Sequence, residues 1–321
     1  MRVLVTGLAG FLGSHVGEAL VARGDEVVGL DNFDAFYDRA VKERNLTQLR
    51  GSSHVRFMEG DIRDRAALAE AMKGVDVVVH LAAKAGVRPS LLDPAAYVST
   101  NIQGTTAVLE AAREANIRSV VFAGSSSVYG DSAPVPFRED FPATEPISPY
   151  AATKRACELL CSTFVHLYGM RIISLRFFTV YGPRQRPDLA IHKFTKIIAS
   201  GQPVPMYGDG SAKRDHTYVD DIVQGVLAAI EWSRREGAAY EVANLGESRT
   251  IRLDRLIALI GESLGLTPKI ERHPRQPGDV QRTCADVTRA RELLGYRPTT
   301  NVEEGIPRFV RWFKEQHGRT A

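Results

Sequence analysis

The sequence predicts an α/β protein in which a doubly wound parallel sheet is followed by a smaller C-terminal α/β domain. Short β-branched runs alternate with helical patterns, which is typical of parallel strands joined by crossover helices. A glycine-rich turn follows the first run, and glycine, proline and arginine become frequent after residue 177. With 321 residues, of which 44% are hydrophobic and 25% charged, the chain is long enough for one large unit and a smaller one.

The predicted strands and helices alternate through the first half of the chain. The strand candidates are residues 2–6, 26–30, 55–59, 75–80, 119–123 and 171–177. The helix candidates between them are residues 12–23, 65–72, 102–114 and 150–167. Six strands joined in this way make a doubly wound sheet.

The second domain is expected to begin where glycine, proline and arginine become frequent, just after residue 177. We therefore predict one domain over residues 1–177 and another over 178–321. The division need not be strict, because residues 216–219 and 240–245 could return to the first sheet.

Composition argues against several kinds of partner. The formal net charge is only +3, and no five like charges run together, so we expect neither a nucleic-acid nor a membrane partner. No stretch reaches the ~18 apolar residues of a membrane span, and the N-terminus has no signal-like apolar region. The three cysteines lack metal-ligand spacing, which favours a reducing compartment and predicts a cytoplasmic protein. The histidines show no paired ligand spacing either, so we predict no metal site.

A dinucleotide site is predicted at the glycine turn. Gly7-x-x-Gly10-x-x-Gly13 closes the first strand and opens the first helix, so its backbone N–H groups can approach a pyrophosphate, with Phe11 and Leu12 alongside. Asp31 lies 18 residues past Gly13, at the end of the second strand. A carboxylate there can accept hydrogen bonds from a ribose hydroxyl and would repel a 2′-phosphate, which favours NAD over NADP. Further candidates follow the second, third and fourth strands: Asn32, Asp61, Ile62, Leu81, Ala82 and Ala83. Asp31 or Asp61 alone could equally be a loop or capping acid.

Three residues predict proton transfer beside that cofactor. Tyr150 and Lys154 are four residues apart on one helical face, so the ammonium can lie near the phenol and favour its ionised form. Ser125 ends the fifth strand, where its hydroxyl could bond the reacting oxygen of a substrate while Tyr150 takes the proton. Taken singly, the serine suits a solvated turn and the tyrosine suits a helix start. Together, downstream of the glycine turn, they predict alcohol oxidation at a bound dinucleotide.

At this point the sequence resembles the extended short-chain dehydrogenase/reductases that modify nucleotide sugars, over nearly the whole chain. Beyond the residues above, the resemblance is carried by His80, Asn101, residues 176–183, Arg214-Asp215 and residues 277–279. Within this family the chain looks most like the UDP-glucuronate 4-epimerases, through residues 85–88 and 176–188.

The resemblance implies a Rossmann NAD-binding domain, a nucleotide-sugar-binding domain, tightly held NAD and a homodimer packed through residues 102–114 and 150–167. It implies an isomerase in which Tyr150 removes the C4 hydroxyl proton, Ser125 orients O4 and Lys154 binds the nicotinamide ribose. A transient 4-keto sugar then rotates and is reduced on its other face. Asn101 and Phe177, with Tyr150 and Lys154, are implied as further cofactor contacts.

The substrate expectation is a UDP-sugar with a carboxylate at C6, which means interconversion of UDP-glucuronate and UDP-galacturonate. Ser126, Ser127 and Thr179 offer hydroxyls, and Arg88 or Arg186 offers charge, for charge-assisted hydrogen bonds to such a group. Arg214 resembles the family arginine that holds the diphosphate. Gln276 stands where several relatives have an arginine, with Arg275 or Arg282 as substitutes.

Other interpretations stay open at this stage. A 4-epimerase of UDP-glucose or UDP-N-acetylglucosamine would use the same chemistry, and Arg88 and Arg186 could be structural. Family dehydratases carry an Asp-Glu pair where Ser126-Ser127 stand, and the decarboxylases usually carry a glutamate at Ser127, so both are disfavoured. From another class, an idle NAD-binding sensor or scaffold could share the fold.

Overall fold

The computed structural model describes residues 1–274 and 282–318 of the chain. Its strands are β1 (Arg2–Thr6), β2 (Glu26–Asp31), β3 (Val55–Glu59), β4 (Val77–His80), β5 (Ser119–Ser125), β6 (Arg171–Phe177), β7 (Thr179–Tyr181), β8 (Val204–Tyr207), β9 (Lys213–Tyr218), β10 (Ala239–Leu245), β11 (Thr250–Arg252) and β12 (Ile270–His273).

Helices connect most of these strands. They are α1 (Phe11–Ala22), α2 (Arg39–Asn45), α3 (Thr47–Arg50), α4 (Arg65–Ala71), α5 (Val87–Leu92), α6 (Pro94–Tyr97), α7 (Gly104–Glu114), α8 (Pro149–Tyr168), α9 (Ala190–Ala199), α10 (Val219–Ser233), α11 (Leu253–Leu264), α12 (Thr288–Leu294) and α13 (Val302–His317). A π-helical turn, Val98–Gln103, joins α6 to α7, and a 3₁₀ turn, Ser126–Tyr129, follows β5. Within the described residues, no helix is long and apolar enough to cross a membrane.

The large sheet confirms the predicted doubly wound fold. Seven strands pair in the order β10-β6-β5-β4-β1-β2-β3, and every pairing is parallel. The order reverses between β1 and β4, and in open α/β sheets ligands bind at that reversal. The six predicted strands are all present, although β4 begins at residue 77 rather than 75 and β5 continues to Ser125.

The chain returns to this sheet once more in its second half. β10 pairs with β6 from Ala239↔Arg171 to Leu245↔Phe177. Residues 216–218 do not return to the large sheet, so that half of the expectation was wrong; both edges of their strand are paired elsewhere. They belong to β9, which pairs with β7 and β11 in a separate three-stranded sheet. The division into domains at 177/178 stays a prediction.

The core lies on both faces of the large sheet. One apolar cluster includes Val16 on α1 and Val226 on α10, and the opposite one includes Val108 on α7 and Cys161 on α8. Strands covered on both faces are mostly apolar, which explains the nearly continuous apolar runs in the sequence. The predicted helix 102–114 starts earlier in the structure, as the π-helical turn at Val98–Gln103.

A buried acidic cluster lies where β9 meets the loop after β10. The carboxylate of Asp215 accepts hydrogen bonds from the N–H groups of Glu247 at 2.8 Å, Ser248 at 3.1 Å and Ala285 at 2.9 Å. Glu247 is 7% exposed, and its Oε2 has no hydrogen-bond partner among the described residues. Burial, followed by the charges of Asp221 and Asp215, raises the pKa of Glu247 to about 7.

This cluster makes stability depend on pH. An unfolded glutamate has a pKa of about 4.3, so unfolding releases a proton between about pH 4.3 and pH 7, and the free energy of unfolding falls as pH rises through that window. We expect Glu247→Gln to raise the free energy of unfolding by about 1–3 kcal/mol at pH 8 and to give no gain at pH 4. Urea unfolding at both pH values measures this, with the exposed Glu236→Gln as control. The same gain at both pH values would contradict it.

Candidate active site

A cavity of about 620 Å³ opens at the carboxyl ends of the strands where the order of the large sheet reverses. It is lined by loops that follow β1 to β6 and by residues of the second half of the chain. The predicted cofactor residues on its wall are Gly7, Gly10, Phe11, Leu12, Gly13, Asp31, Asn32, Ile62, Leu81, Ala82, Ala83, Tyr150, Lys154 and Phe177.

The glycine turn is shaped to approach a ligand closely. Gly7 has φ +77°, a left-handed conformation that side chains rarely adopt, and a Cβ at Gly13 would overlap the carbonyl oxygen of Gly7. Gly10 precedes α1 without any side-chain cap, so the first N–H groups of the helix stay available to an anion. Asn45 Nδ2 donates to the Ala9 carbonyl oxygen at 3.0 Å and holds the turn in place. This cradle fits a dinucleotide pyrophosphate.

Asp31 ends β2 at the wall of the cavity. Its carboxylate accepts hydrogen bonds from the N–H groups of Ala9 at 3.1 Å and Phe33 at 2.8 Å. Burial raises the pKa of Asp31, although the nearby charge of Lys42 opposes the shift. Each carboxylate oxygen can accept more than one hydrogen bond, so the side chain can still bind ribose hydroxyls as predicted.

Two predicted cofactor residues, Asp61 and Asn101, do not line the cavity. Asp61 accepts hydrogen bonds from the Arg63 guanidinium at 2.8 and 2.6 Å and from Asn32 Nδ2 at 2.9 Å, and these partners hold its pKa at about 2. Asn101 is buried on the π-helical turn. Its Oδ1 accepts from the Lys84 N–H at 2.8 Å, and its Nδ2 donates to Thr153 Oγ1 at 3.0 Å. Asn101 therefore ties the loop after β4 to α8.

The three predicted catalytic residues all line the cavity. Ser125 ends β5, and its Oγ lies 2.8 Å from Ser127 Oγ. Tyr150 stands in the first turn of α8, which Ser148 caps by accepting the Ala151 N–H at 3.1 Å. The side chain of Lys154 is buried one turn further on.

Lys154 and Tyr150 are each held by a neighbour from another element. Lys154 Nζ donates to the Ala123 carbonyl oxygen at 2.8 Å, which fixes the ammonium beside β5. The Tyr150 ring packs edge-on against Tyr97, with the centroids 6.1 Å apart. A serine, a tyrosine and a lysine brought to one cavity wall can donate, remove and return a proton at a bound hydroxyl.

The predicted substrate residues on the same wall are Arg88, Ser126, Ser127, Thr179, Arg186 and Arg214. Gln276 and Arg275 lie outside the described residues, and Arg282 is described but is not part of the wall.

Part of the wall, in the segment after β2 that runs into α2 and in the loop after β4, was not predicted from the sequence. These residues are Asp34, Phe36, Tyr37, Lys42 and Lys84. Lys84 Nζ lies 3.0 Å from Asp34 Oδ2, an ion pair that joins the two loops. Their position could have been predicted, because both segments follow the carboxyl ends of strands near the point where the strand order reverses, and ligands bind there.

A sequence model described as the NAD dependent epimerase/dehydratase family matches residues 3–246. The chain belongs to this family. The match spans the glycine turn, the three predicted catalytic residues and the strands of the large sheet from Val3 onward, and it confirms the predicted resemblance to nucleotide-sugar epimerases and dehydratases.

Named relatives in the family are similar over almost the whole chain. A UDP-glucuronate 4-epimerase of Thermodesulfobacterium geofontis is 41% identical over 315 residues, which cover 97% of this chain and 96% of that one. The crystal structure of the UDP-glucuronic acid 4-epimerase from Bacillus cereus, in complex with UDP-glucuronic acid and NAD, is 35% identical with a TM-score of 0.93, covering 99% and 100% of the two chains. A UDP-glucose 4-epimerase from Thermotoga maritima, solved with UDP-glucose, is 32% identical with a TM-score of 0.89, covering 98% and 99%.

No group of three or more histidine, cysteine, aspartate or glutamate side chains that could hold a metal ion occurs within residues 1–274 and 282–318. The absence of a metal requirement stays a prediction.

Proposed function

We propose that the protein is a NAD-dependent 4-epimerase that interconverts UDP-glucuronate and UDP-galacturonate. One observation carries the proposal: a single cavity wall holds Ser125, Tyr150 and Lys154 together with three further hydroxyl side chains and Arg186. The similarity to UDP-glucuronate 4-epimerases over nearly the full chain supports the same substrate.

The cofactor residues suit NAD. The glycine turn would hold the pyrophosphate, Asp31 the adenosine ribose and Lys154 the nicotinamide ribose. When bound, NAD supplies the acceptor for hydride from the sugar and gives the hydride back within the same cycle. Lys154 would keep its position during the cycle because Ala123 anchors its ammonium.

The proton steps belong to the protein. Tyr150 would take the proton of the C4 hydroxyl while Ser125 hydrogen-bonds to O4. Tyr150 would return the proton after the 4-keto sugar has rotated in the cavity. Ser127 lies within hydrogen-bond distance of Ser125 and would orient its hydroxyl. The packing of Tyr97 against Tyr150 would keep the phenol in one place through both steps.

The specificity would arise at C6, which is attached to C5 next to the reacting C4. Ser126, Ser127 and Thr179 offer hydroxyls, and Arg186 offers a cation, all suited to a C6 carboxylate. No carboxylate stands at positions 126 and 127, so this chain lacks the acid and base of the related dehydratases and the glutamate of the decarboxylases. A neutral hexose would offer no carboxylate at C6 to the Arg186 guanidinium, which disfavours UDP-glucose and UDP-N-acetylglucosamine as substrates.

The test is incubation of the purified protein with UDP-glucuronate and no added NAD, with UDP-glucose in a parallel tube. We expect UDP-galacturonate as the product, formed by cofactor that is purified with the protein, and no pentose product. Conversion of UDP-glucose but not UDP-glucuronate would keep the mechanism and overturn the substrate. No conversion of either sugar, with NAD bound, would favour the sensor or scaffold interpretation.

We also propose a cytoplasmic homodimer. The three cysteines are free and buried, as expected in a reducing compartment. Apolar side chains are exposed on α8 (Leu159 and Leu167), on α5 (Leu92) and on the π-helical turn (Val98), and a second copy could cover them. Sedimentation as a dimer at micromolar concentration is expected, and a monomer under these conditions would contradict it.

A further inference from the structure

Arg186 is held on one edge by a single carboxylate. Its Nε donates to Asp188 Oδ1 at 3.0 Å and its Nη2 donates to Asp188 Oδ2 at 2.7 Å, a two-point pair. The Arg186 side chain is 18% exposed and that of Asp188 is 37% exposed, so the pair lies at the edge of the cavity rather than in open solvent. A guanidinium has five N–H groups in one rigid, fork-shaped plane. The pair with Asp188 uses one edge of this fork, and the N–H groups of the outer edge can bind a second carboxylate.

Phe36 covers a face of the same guanidinium. The central carbon of the Arg186 guanidinium lies 5.0 Å from the centroid of the Phe36 ring, within the range of a cation–π interaction. Phe36 is itself fixed, because its N–H donates to Asp34 Oδ1 at 3.0 Å in the loop after β2. That loop follows Asp31, the last residue of β2. The Arg186 guanidinium therefore packs against the loop that begins beside a predicted cofactor residue.

The Arg186 cation lines the same cavity wall as the predicted catalytic residues. Burial by itself would lower the pKa of Arg186, but the hydrogen bond and charge of Asp188, followed by the phenols of Tyr150 and Tyr37, raise it. The guanidinium therefore stays charged, and it lines the same cavity wall as Tyr150. An arginine on a flexible stem would lose this geometry unless its neighbours restrained it.

We propose that Asp188 and Phe36 are positioning residues that fix the orientation of the Arg186 fork and thereby set the preference of the site for a C6 carboxylate over a C6 hydroxymethyl group. The inference rests on the proposed function. A carboxylate needs both N–H groups of the outer edge in one plane, whereas a hydroxymethyl group takes a single hydrogen bond and tolerates a mobile arginine.

The test measures binding in a Tyr150→Phe background, which retains the pocket and is expected to slow turnover by about 10²- to 10⁴-fold. Calorimetric titration of the NAD-loaded protein compares UDP-glucuronate with UDP-glucose, with and without Asp188→Asn. We expect Asp188→Asn to lower the preference for UDP-glucuronate about tenfold, with little change for UDP-glucose. Asp140→Asn is the matched control, because Arg138 and Asp140 form the same kind of two-residue pair, at 3.3 and 3.2 Å, away from the cavity.

Two further variants separate position from charge. Arg186→Lys keeps the cation but loses the fork, so it should lower the preference about as much as Asp188→Asn. Phe36→Leu keeps the apolar contact but loses the ring face, so a loss of about two- to fivefold in the same direction is expected.

Four outcomes would overturn the inference. Equal weakening of both ligands by Asp188→Asn would show a purely structural role. Tighter binding of UDP-glucuronate would show that Asp188 acts by charge repulsion. If Asp188→Asn leaves a strong preference for UDP-glucuronate unchanged, Asp188 does not contribute to the specificity, and the proposed function still holds. If the background protein itself shows no preference for UDP-glucuronate, the proposed function fails and the inference fails with it.

Discussion

Tyr150→Phe is expected to lower kcat for the epimerisation of UDP-glucuronate by about 10²- to 10⁴-fold, with little change in KM. The substitution removes one oxygen, the atom that would take and return the proton at O4, and leaves the ring against Tyr97. Because Lys154 is anchored by the Ala123 carbonyl rather than by Tyr150, the cofactor contacts should survive. The variant should therefore still purify with NAD.

Product formation measured by chromatography at saturating substrate tests this expectation. Tyr168→Phe is the matched control, because Tyr168 is the partly exposed last residue of the same helix and does not line the cavity. The control should keep the activity of the parent protein. A Tyr150→Phe variant with more than a tenth of the parent kcat would mean that another group or water moves the proton.

Glu158→Gln is expected to lower the free energy of unfolding by about 3–5 kcal/mol. Arg176 on β6 is 2% exposed and Glu158 on α8 is fully buried. The Arg176 guanidinium donates to both carboxylate oxygens at 2.9 Å, and Arg155 Nη1 donates to Oε2 at 3.0 Å. Burial would lower the pKa of Arg176, but Glu158 outweighs burial and raises it. A neutral glutamine would leave a buried cation without its counter-charge.

Urea unfolding followed by circular dichroism measures the loss. The exposed pair of Arg23 and Glu231, at 3.0 Å, provides the comparison: Glu231→Gln should cost less than about 1 kcal/mol, because solvent screens exposed pairs. A loss below about 1 kcal/mol for Glu158→Gln would mean that the surroundings of Arg176 already compensate its charge. The Arg176–Glu158 pair joins β6 to α8 one helical turn beyond Lys154, so it also holds the helix that carries Tyr150 and Lys154 against the sheet.

Features that depend on short-range order could be predicted from the sequence. Strand and helix periods are local, and the six predicted strands of the large sheet are present in the structure. The glycine turn followed from the spacing of Gly7, Gly10 and Gly13. The shared helical face of Tyr150 and Lys154 followed from a spacing of four residues.

Contacts between distant segments could not be predicted in the same way. Local sequence did not distinguish the two segments that were expected to rejoin the large sheet. β10 pairs with β6, whereas β9 lies between β7 and β11, so both of its edges are occupied in the smaller sheet. Local sequence also did not separate Asp61, which turns toward Arg63, from the adjacent Ile62, which lines the cavity.

The sequence by itself determined the kind of chemistry: a dinucleotide turn, an acidic residue for a ribose, and a tyrosine–lysine pair on one helix. The tertiary structure alone decided which side chains share the cavity with that chemistry. Arg186 and Phe36 are 150 positions apart in the chain, yet they meet across the cavity. The physical reason is that such contacts depend on how loops from separate strands pack around the reversal of the sheet, which no local pattern encodes.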